Sequence, residues 1–324
     1  MSMDRISMSR DRISLLLLGI ILFFVCLYIG AAVQRGTNNC NIIRNYSQQS
    51  MEPIDTNTLG QPLKRVFVKT AYNCCCTGDF KNDYVDTCAL LNCAKQGVRA
   101  LDFTLYSLHG EPVISASTLN SKKYKEMYNS LPFAKTMAQV KQMFLYDSAN
   151  CQNIRDPLFL ILRIQSNNTQ IFNKIGEILQ NTFGDGNSTG SVLYHSNGDP
   201  LDDESIANLM GKVVIMVDTN SKGIQGSILS PLVALQLGTL TNQIYRETEA
   251  YDVLVSGASP NESKVNILYP DYQPKNNNYD YETVGIQQNF QFIGMNFQLE
   301  DVYLDAYNRK FNRSILTQPN KIKA

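Results

Sequence analysis

Continuous apolar runs that alternate with amphipathic stretches constrain this chain more than any other feature. The runs are "LKRVFVK" (63–69), "VRALDFTLY" (98–106), "PLFLILRI" (157–164) and "KVVIMVD" (212–218). Helix-like segments separate them at 83–96, 132–145, 168–183 and 203–210. In "NTQIFNKIGEILQNTF" the apolar residues fall at 171, 175, 178, 179 and 183, one face of a helix. Strands apolar on both faces and joined through helices read as parallel strands buried on both sides. Six or more such units over about 260 residues predict an α/β fold, one (β/α) barrel of TIM type, in preference to two domains. A turn at His109-Gly110 leads into a further extended piece, "EPVISAS". A short strand is expected at 191–195 and a late one at "FQFIGMNFQ" (290–298). Residues 240–280 read as loop-rich, with "PKNNNYDYE" as a solvated loop.

A second feature places that barrel. From Ile13 to Val33 the sequence carries no charge. As a helix this run spans about 31 Å, the thickness of a hydrocarbon core. It exceeds the roughly 7–15-residue core of a signal peptide, which favours an uncleaved anchor. Arg5, Arg10 and Arg12 precede it and only Arg35 follows closely, so the positive-inside bias keeps the N-terminus cytosolic. The expected division is a cytosolic tail (1–12), a transmembrane anchor (13–33), a polar non-periodic stalk (34–60), the barrel (61–318) and a tail (319–324). The barrel then lies on the lumenal, extracellular or virion side. Sequons at Asn45, Asn167, Asn187, Asn261 and Asn312 agree with translocation and with a glycoprotein.

Net charge is zero, which argues against a nucleic-acid partner. Asn-, Ile-, Lys- and Tyr-rich usage is of the kind AT-rich genomes produce, and points to a large DNA virus or a protist. Beyond Cys26 in the anchor lie Cys40, Cys74, Cys75, Cys76, Cys88, Cys93 and Cys151, an odd number, so at least one thiol stays unpaired within the chain. None has metal-site spacing, and no metal is expected.

The stretch "TAYNCCCTGDF" (70–80) resembles the first-strand loop of eukaryotic phosphoinositide-specific phospholipases C, Ser-Ser-His-Asn-Thr-Tyr-Leu-Thr-Gly-Asp-Gln. Asn73, Thr77, Gly78 and Asp79 match. "QGVRALDFTLY" and "GEPVISASTLNSK" resemble the next two blocks of that catalytic X/Y barrel, "DPLFLILRIQSNNTQ" and "LMGKVVIMVD" the two after, and "ILYPDY" with "NNYDYETVGIQQNFQFIGMNFQ" its second half. The likeness runs from about residue 63 to 315. It implies a barrel that cleaves a phosphodiester with two histidines and a calcium ion held by Asn and carboxylates.

Carried over position by position, that machinery is missing. The histidine positions hold Tyr72 and about Ala116. Asn73 remains, Asp102 keeps a shorter carboxylate, Thr104 replaces an aspartate and Arg163 a glutamate. The phosphate-gripping lysines become Met216 and Asp218, the arginine before Tyr-Pro becomes Ile267, and Tyr269 stays. A tyrosine is a poor base at neutral pH, and an arginine in a ligand position repels calcium. The resemblance therefore implies a pseudoenzyme with a lost calcium site, no cofactor and no catalytic residues. Such a barrel would serve as a structural or interaction module for an unknown protein partner, with Asn73, Asp102, Arg163 and Tyr269 as candidate binding residues.

Two alternatives stand beside it. One is a metal-independent phosphodiesterase in which Arg163 does calcium's work beside Asp102, as an arginine does in bacterial relatives, with His109 or His195 as acid and base. His195 would sit at the catalytic rim. The other is a lipid-headgroup binder without turnover. In an extended triplet Cys74 and Cys76 face one way and Cys75 the other. A disulfide from this triplet to Cys88, Cys93 or Cys151 would staple the loop shut; plain buried thiols or a reactive thiol are the other readings.

Overall fold

The apolar runs form strands that pair in parallel. The computed structural model describes residues 10–119, 125–166, 168, 170–184, 191–196, 200–219, 223–238, 244–275 and 277–319. Its strands are β1 (Val66–Ala71), β2 (Ala100–Leu108), β3 (Glu111–Ile114), β4 (Leu131–Pro132), β5 (Leu158–Ile164), β6 (Val213–Asp218), β7 (Val233–Leu237), β8 (Ile244–Arg246), β9 (Ile267–Tyr269), β10 (Phe292–Met295) and β11 (Ile315–Thr317). Eight of them lie in the order β7-β6-β5-β2-β1-β10-β9-β8, every pair parallel. Among the described residues no ladder joins β7 to β8, so the barrel is nearly closed. β11 pairs antiparallel with β1, and β3 folds back on the end of β2.

The core fills the barrel and the space under its helices. β1 and β5 are buried at every position, as strands covered on both faces must be. The helix Gln170–Phe183 buries Ile171, Phe172, Ile175, Leu179 and Phe183 on one stripe. Where sequons can be placed, Asn45 and Asn261 are exposed and Asn312 is half-buried. Asn167 and Asn187 lie outside the described residues.

Several boundaries differ from expectation. The helix read at 83–96 begins at Thr87, where the Asp86 side chain accepts from the Cys88 N–H. The strand read at 191–195 is a single bridge from Leu193 to Val213. The helix read at 203–210 is a 3-10 turn, Leu201–Asp203, and one α-turn, Ile206–Leu209. The loop-rich 240–280 contains β8, the helix Glu247–Val255 and β9. Two of these elements are three-residue strands, too short to show a period.

The largest difference lies in 34–60. The apolar helix continues without a break from Arg10 to Arg44, and its last turns lie along the helix Thr87–Lys95. A disulfide joins Cys40 to Cys88 across this contact, Cα to Cα 5.8 Å. The following residues stay on the barrel: Gln96 Nε2 donates to Ser47 O at 2.7 Å, and the Glu52 N–H donates to Asn312 O at 2.8 Å. Of the readings of the triplet, the structure has the plain buried thiols: the disulfide is Cys40–Cys88, and Cys74, Cys75, Cys76, Cys93 and Cys151 are buried and free.

Candidate functional site

At the C-terminal end of β1 the chain turns sharply. Asn73 takes the left-handed conformation, φ 43°, a region that asparagine tolerates better than most residues. Cys74 and Cys75 lie in this turn and Cys76 bridges Val85, so the triplet is not one extended segment, and all three thiols are buried. The turn is tied to β2: the Asn73 N–H donates to Asp102 Oδ2 at 2.9 Å and the Cys74 N–H to Asp102 O at 3.0 Å.

Parallel register brings the rest together. Asp102 and Thr104 are two apart on β2 and share a face, and Thr104 lies beside Arg163 of β5. Arg163 grips Asp102 with Nε to Oδ1 at 2.8 Å and Nη2 to Oδ2 at 2.7 Å, and Nη2 also donates to Asn73 Oδ1 at 2.8 Å. Thr104 Oγ1 donates to the same Asn73 oxygen at 2.8 Å, and the Tyr269 hydroxyl donates to Asp102 Oδ1 at 2.8 Å. Gly294 makes room for that ring, since a Cβ there would stand 2.7 Å from it. Tyr72, Asn73, Asp102, Thr104, Arg163 and Tyr269 are each at most 4% exposed. The space between Asn73, Cys75, Cys76, Asp102, Thr104 and Ser115 admits no water molecule.

The electrostatics follow from this packing. Burial opposes the Arg163 charge, but Asp102, then the Tyr72 and Tyr269 rings, outweigh it and hold its pKa well above the ordinary arginine value. The guanidinium carbon stands 4.8 Å from the Tyr72 ring centre and 5.3 Å from that of Tyr269. Burial, and after it the Asp102 charge, push the Tyr269 hydroxyl well above its usual pKa, so it serves as a donor and not as a base.

Sequence reasoning missed Arg246, which ends β8. Its Nη1 donates to the Tyr72 hydroxyl at 3.1 Å and to Pro270 O at 2.8 Å, and its guanidinium stacks 3.6 Å over the Tyr272 ring. Burial works against this charge too, but Tyr72 and Tyr272 raise its pKa above the ordinary value. A lone arginine in "NQIYRETE" gave no signal. Tyr72, the residue at the first histidine position, is thus held between two arginines.

The other positions stand apart from this cluster. Ala116 is fully buried and its carbonyl accepts from the Glu126 N–H at 2.9 Å. Met216 and Ile267 are buried in their strands, and Asp218 ends β6 half-buried. His109 is exposed in the β2–β3 turn. His195 is exposed and lies two residues past the parallel bridge from Leu193 to Val213, the first residue of β6. Neither imidazole bonds Arg163 or Asp102.

Calcium requires six to eight oxygens around an open centre. Here Asn73 Oδ1 and both Asp102 oxygens already accept from Arg163. The residues present do not fit the ion. Among the described residues the grouping closest to metal-ligand spacing is Cys40, Asp86 and Cys88, whose two sulfurs form the disulfide.

Comparison with known proteins yields fold and no more. No family model matches the chain, and no curated protein matches it. The crystal structure of S. officinalis PLC21 superposes with a TM-score of 0.66 at 14% identity, covering 81% of this chain and 37% of that one. L. pealei PLC21 gives 0.63 at 16% identity, covering 81% and 38%. The chain therefore spans well under half the length of these structures. The phosphatidylinositol-specific phospholipase C of Listeria monocytogenes gives 0.49 at 10% identity, covering 82% and 98%. The fold is a parallel, nearly closed α/β barrel of the phospholipase C kind, preceded by one helix long and apolar enough to span a membrane.

Proposed function

We propose that this chain is a single-pass membrane protein whose phospholipase C-like barrel has exchanged catalysis for a structural or interaction role. The observation that carries this reading is the occupancy of the former reaction centre. Arg163 is held by Asp102 and Asn73 and buried against the Tyr72 and Tyr269 rings, 3% exposed. In-line phosphoryl chemistry needs a base, an acid and free cationic charge aimed at the phosphate. Arg163 spends its charge on Asp102, and both imidazoles lie elsewhere. The anchor would leave the N-terminus cytosolic and the barrel on the far side of the membrane. A large DNA virus particle or a protist surface is the setting that composition favours.

The test is turnover. Full-length protein in proteoliposomes is incubated with phosphatidylinositol and its phosphorylated forms, with calcium or with chelator, and water-soluble inositol phosphates are measured. The expected result is release no faster than from protein-free vesicles. Release that Arg163→Ala or His195→Ala abolishes would instead establish the metal-independent enzyme. Saturable binding of inositol phosphates without product would establish the headgroup binder.

A further inference from the structure

We propose that the flank of the barrel carries a site for a free, short aliphatic primary amine in its ammonium form, in a cavity walled by Tyr46, Asn92, Glu300, Leu304 and Asn308. This cavity shares no residue with the Arg163 cluster.

Three segments build it. The helix Thr87–Lys95 with its cap Gln96 forms one wall, and the helix Val302–Lys310 forms another. The chain that follows the long apolar helix closes the third side with Tyr46, Ser47 and Gln49. Asn92 and Gln96 are four residues apart, as are Leu304 and Asn308, so each pair shares a helix face. The two walls are tied where Asn308 Nδ2 donates to Gln96 Oε1 at 3.1 Å.

What this cavity offers is acceptors. Its amide nitrogens are engaged: Asn92 Nδ2 donates to Phe297 O at 2.8 Å, Gln96 Nε2 to Ser47 O at 2.7 Å and Gln49 Nε2 to Phe311 O at 3.1 Å. Asn92 Oδ1 and Asn308 Oδ1 are buried without a partner, and Asn92 is only 2% exposed. A buried acceptor left without a donor is destabilising, so two on one cavity favour a ligand rich in N–H. Charge selects a cation. Asp305 is taken by Arg309, whereas Glu300, exposed at the cavity's edge, has no ion pair among the described residues. Its charge is felt inside. Burial first, and after it Glu300, raises the pKa of the Tyr46 hydroxyl, which donates to Gln298 O at 3.3 Å. Size selects an organic cation. The volume of about 210 Å³ matches about seven waters at about 30 Å³ each, far more than one metal ion fills. Among the described residues no three Asp, Glu, His or Cys ligand atoms converge here. A primary ammonium brings donors and no acceptor, and Leu304 with the Tyr46 ring gives its carbon chain an apolar bed.

The probe is 1,4-diaminobutane, because acceptors stand at both ends of one wall, Glu300 before the helix Val302–Lys310 and Asn308 in its last turn. The full chain in detergent is titrated calorimetrically with the diamine, with choline, a cation that has no N–H, and with calcium. Thermal unfolding is followed at each ligand concentration. The expected result is saturable one-to-one binding of the diamine with a dissociation constant of about 1 mM or tighter, and at least about 5-fold weaker binding of choline. Glu300→Gln, at an exposed position, should weaken diamine binding at least about 5-fold. Asn308→Asp keeps an acceptor, adds a charge and should tighten it. Choline bound as tightly as the diamine would overturn the proposal, since charge alone would then attract the ligand. Diamine binding unchanged in both variants would overturn it by placing the amine elsewhere. Calcium bound through Glu300, with no uptake of diamine, would replace it with a metal site. Neither saturable heat nor a rise in the thermal midpoint with diamine would leave water as the occupant and end the proposal.

Discussion

Arg163 and Asp102 share two parallel hydrogen bonds, 2.8 and 2.7 Å long, across adjacent strands, both side chains buried. Such a pair contributes little net stability, but breaking it by removing one charge strands the other. Arg163→Met is expected to lose about 3–5 kcal/mol in urea unfolding. Arg163→Met combined with Asp102→Asn removes both charges; the amide oxygen still accepts from the Asn73 N–H, and the amide NH2 can donate to the Tyr269 hydroxyl. The double variant should recover at least about half of that loss. A single variant as stable as the parent would show that the arginine is free for other work.

Calcium offers a second check. A ligand that binds only the folded state raises the melting temperature in proportion to its occupancy. With Arg163 charged at every accessible pH and seated on the would-be ligands, millimolar calcium is expected to leave the thermal midpoint unchanged. A rise of more than about 2 °C, abolished in Asp102→Asn, would mean that the guanidinium can be displaced.

The barrel was legible because β2, β5 and β6 are mostly apolar runs, broken only by a few polar residues such as Asp102, Thr104 and Arg163, as strands buried on both faces are. Asn73, Asp102, Arg163 and Tyr269 were found by matching positions to a family loop, and the register of β2 against β5 brings them together. What stayed hidden depends on contacts distant in sequence. Cys40 sits in a polar segment that looks like a stalk until the helix is seen to continue along Thr87–Lys95. Arg246 follows a three-residue strand with no period to read.

The thiols give a count. Burial, then neighbouring Cys75, raise the pKa of Cys76; burial, then the hydrogen bond with Cys75, raise that of Cys74; burial, then Arg99 acting against it, leaves that of Cys151 raised. Thiols so placed are slow nucleophiles. Maleimide is expected to spare Cys74, Cys75, Cys76, Cys93 and Cys151 in the native protein. After denaturation it should label six thiols without reductant and all eight with it. Mass spectrometry decides: fast native labelling within the triplet would replace the buried-thiol reading with a reactive one.

Acid should loosen the residues held by Glu126 before the barrel itself. Glu126 accepts from Ser117 Oγ at 3.1 Å, from the Thr118 N–H at 2.7 Å and from the Thr118 hydroxyl, and pairs with Lys81 at 2.9 Å. Partial burial pushes its pKa up, but the hydrogen bonds from Thr118 and Lys81 prevail and bring it from 4.5 to about 2. The folded pKa lies below the unfolded one, so the unfolded state binds the proton more readily. The stability this carboxylate supplies is complete above the unfolded value of 4.5 and drains as pH falls toward about 2. Glu126→Gln cannot titrate there, whereas every other carboxylate titrates in both proteins. The stability difference between parent and variant is therefore expected to be largest near neutral pH and to shrink steadily below about pH 4.5. Urea unfolding at a series of pH values measures it, with amide exchange of residues 115–119 and 125–130 to localise the change. A difference that stays constant down to about pH 3 would mean that the carboxylate's charge does not hold the segment in place.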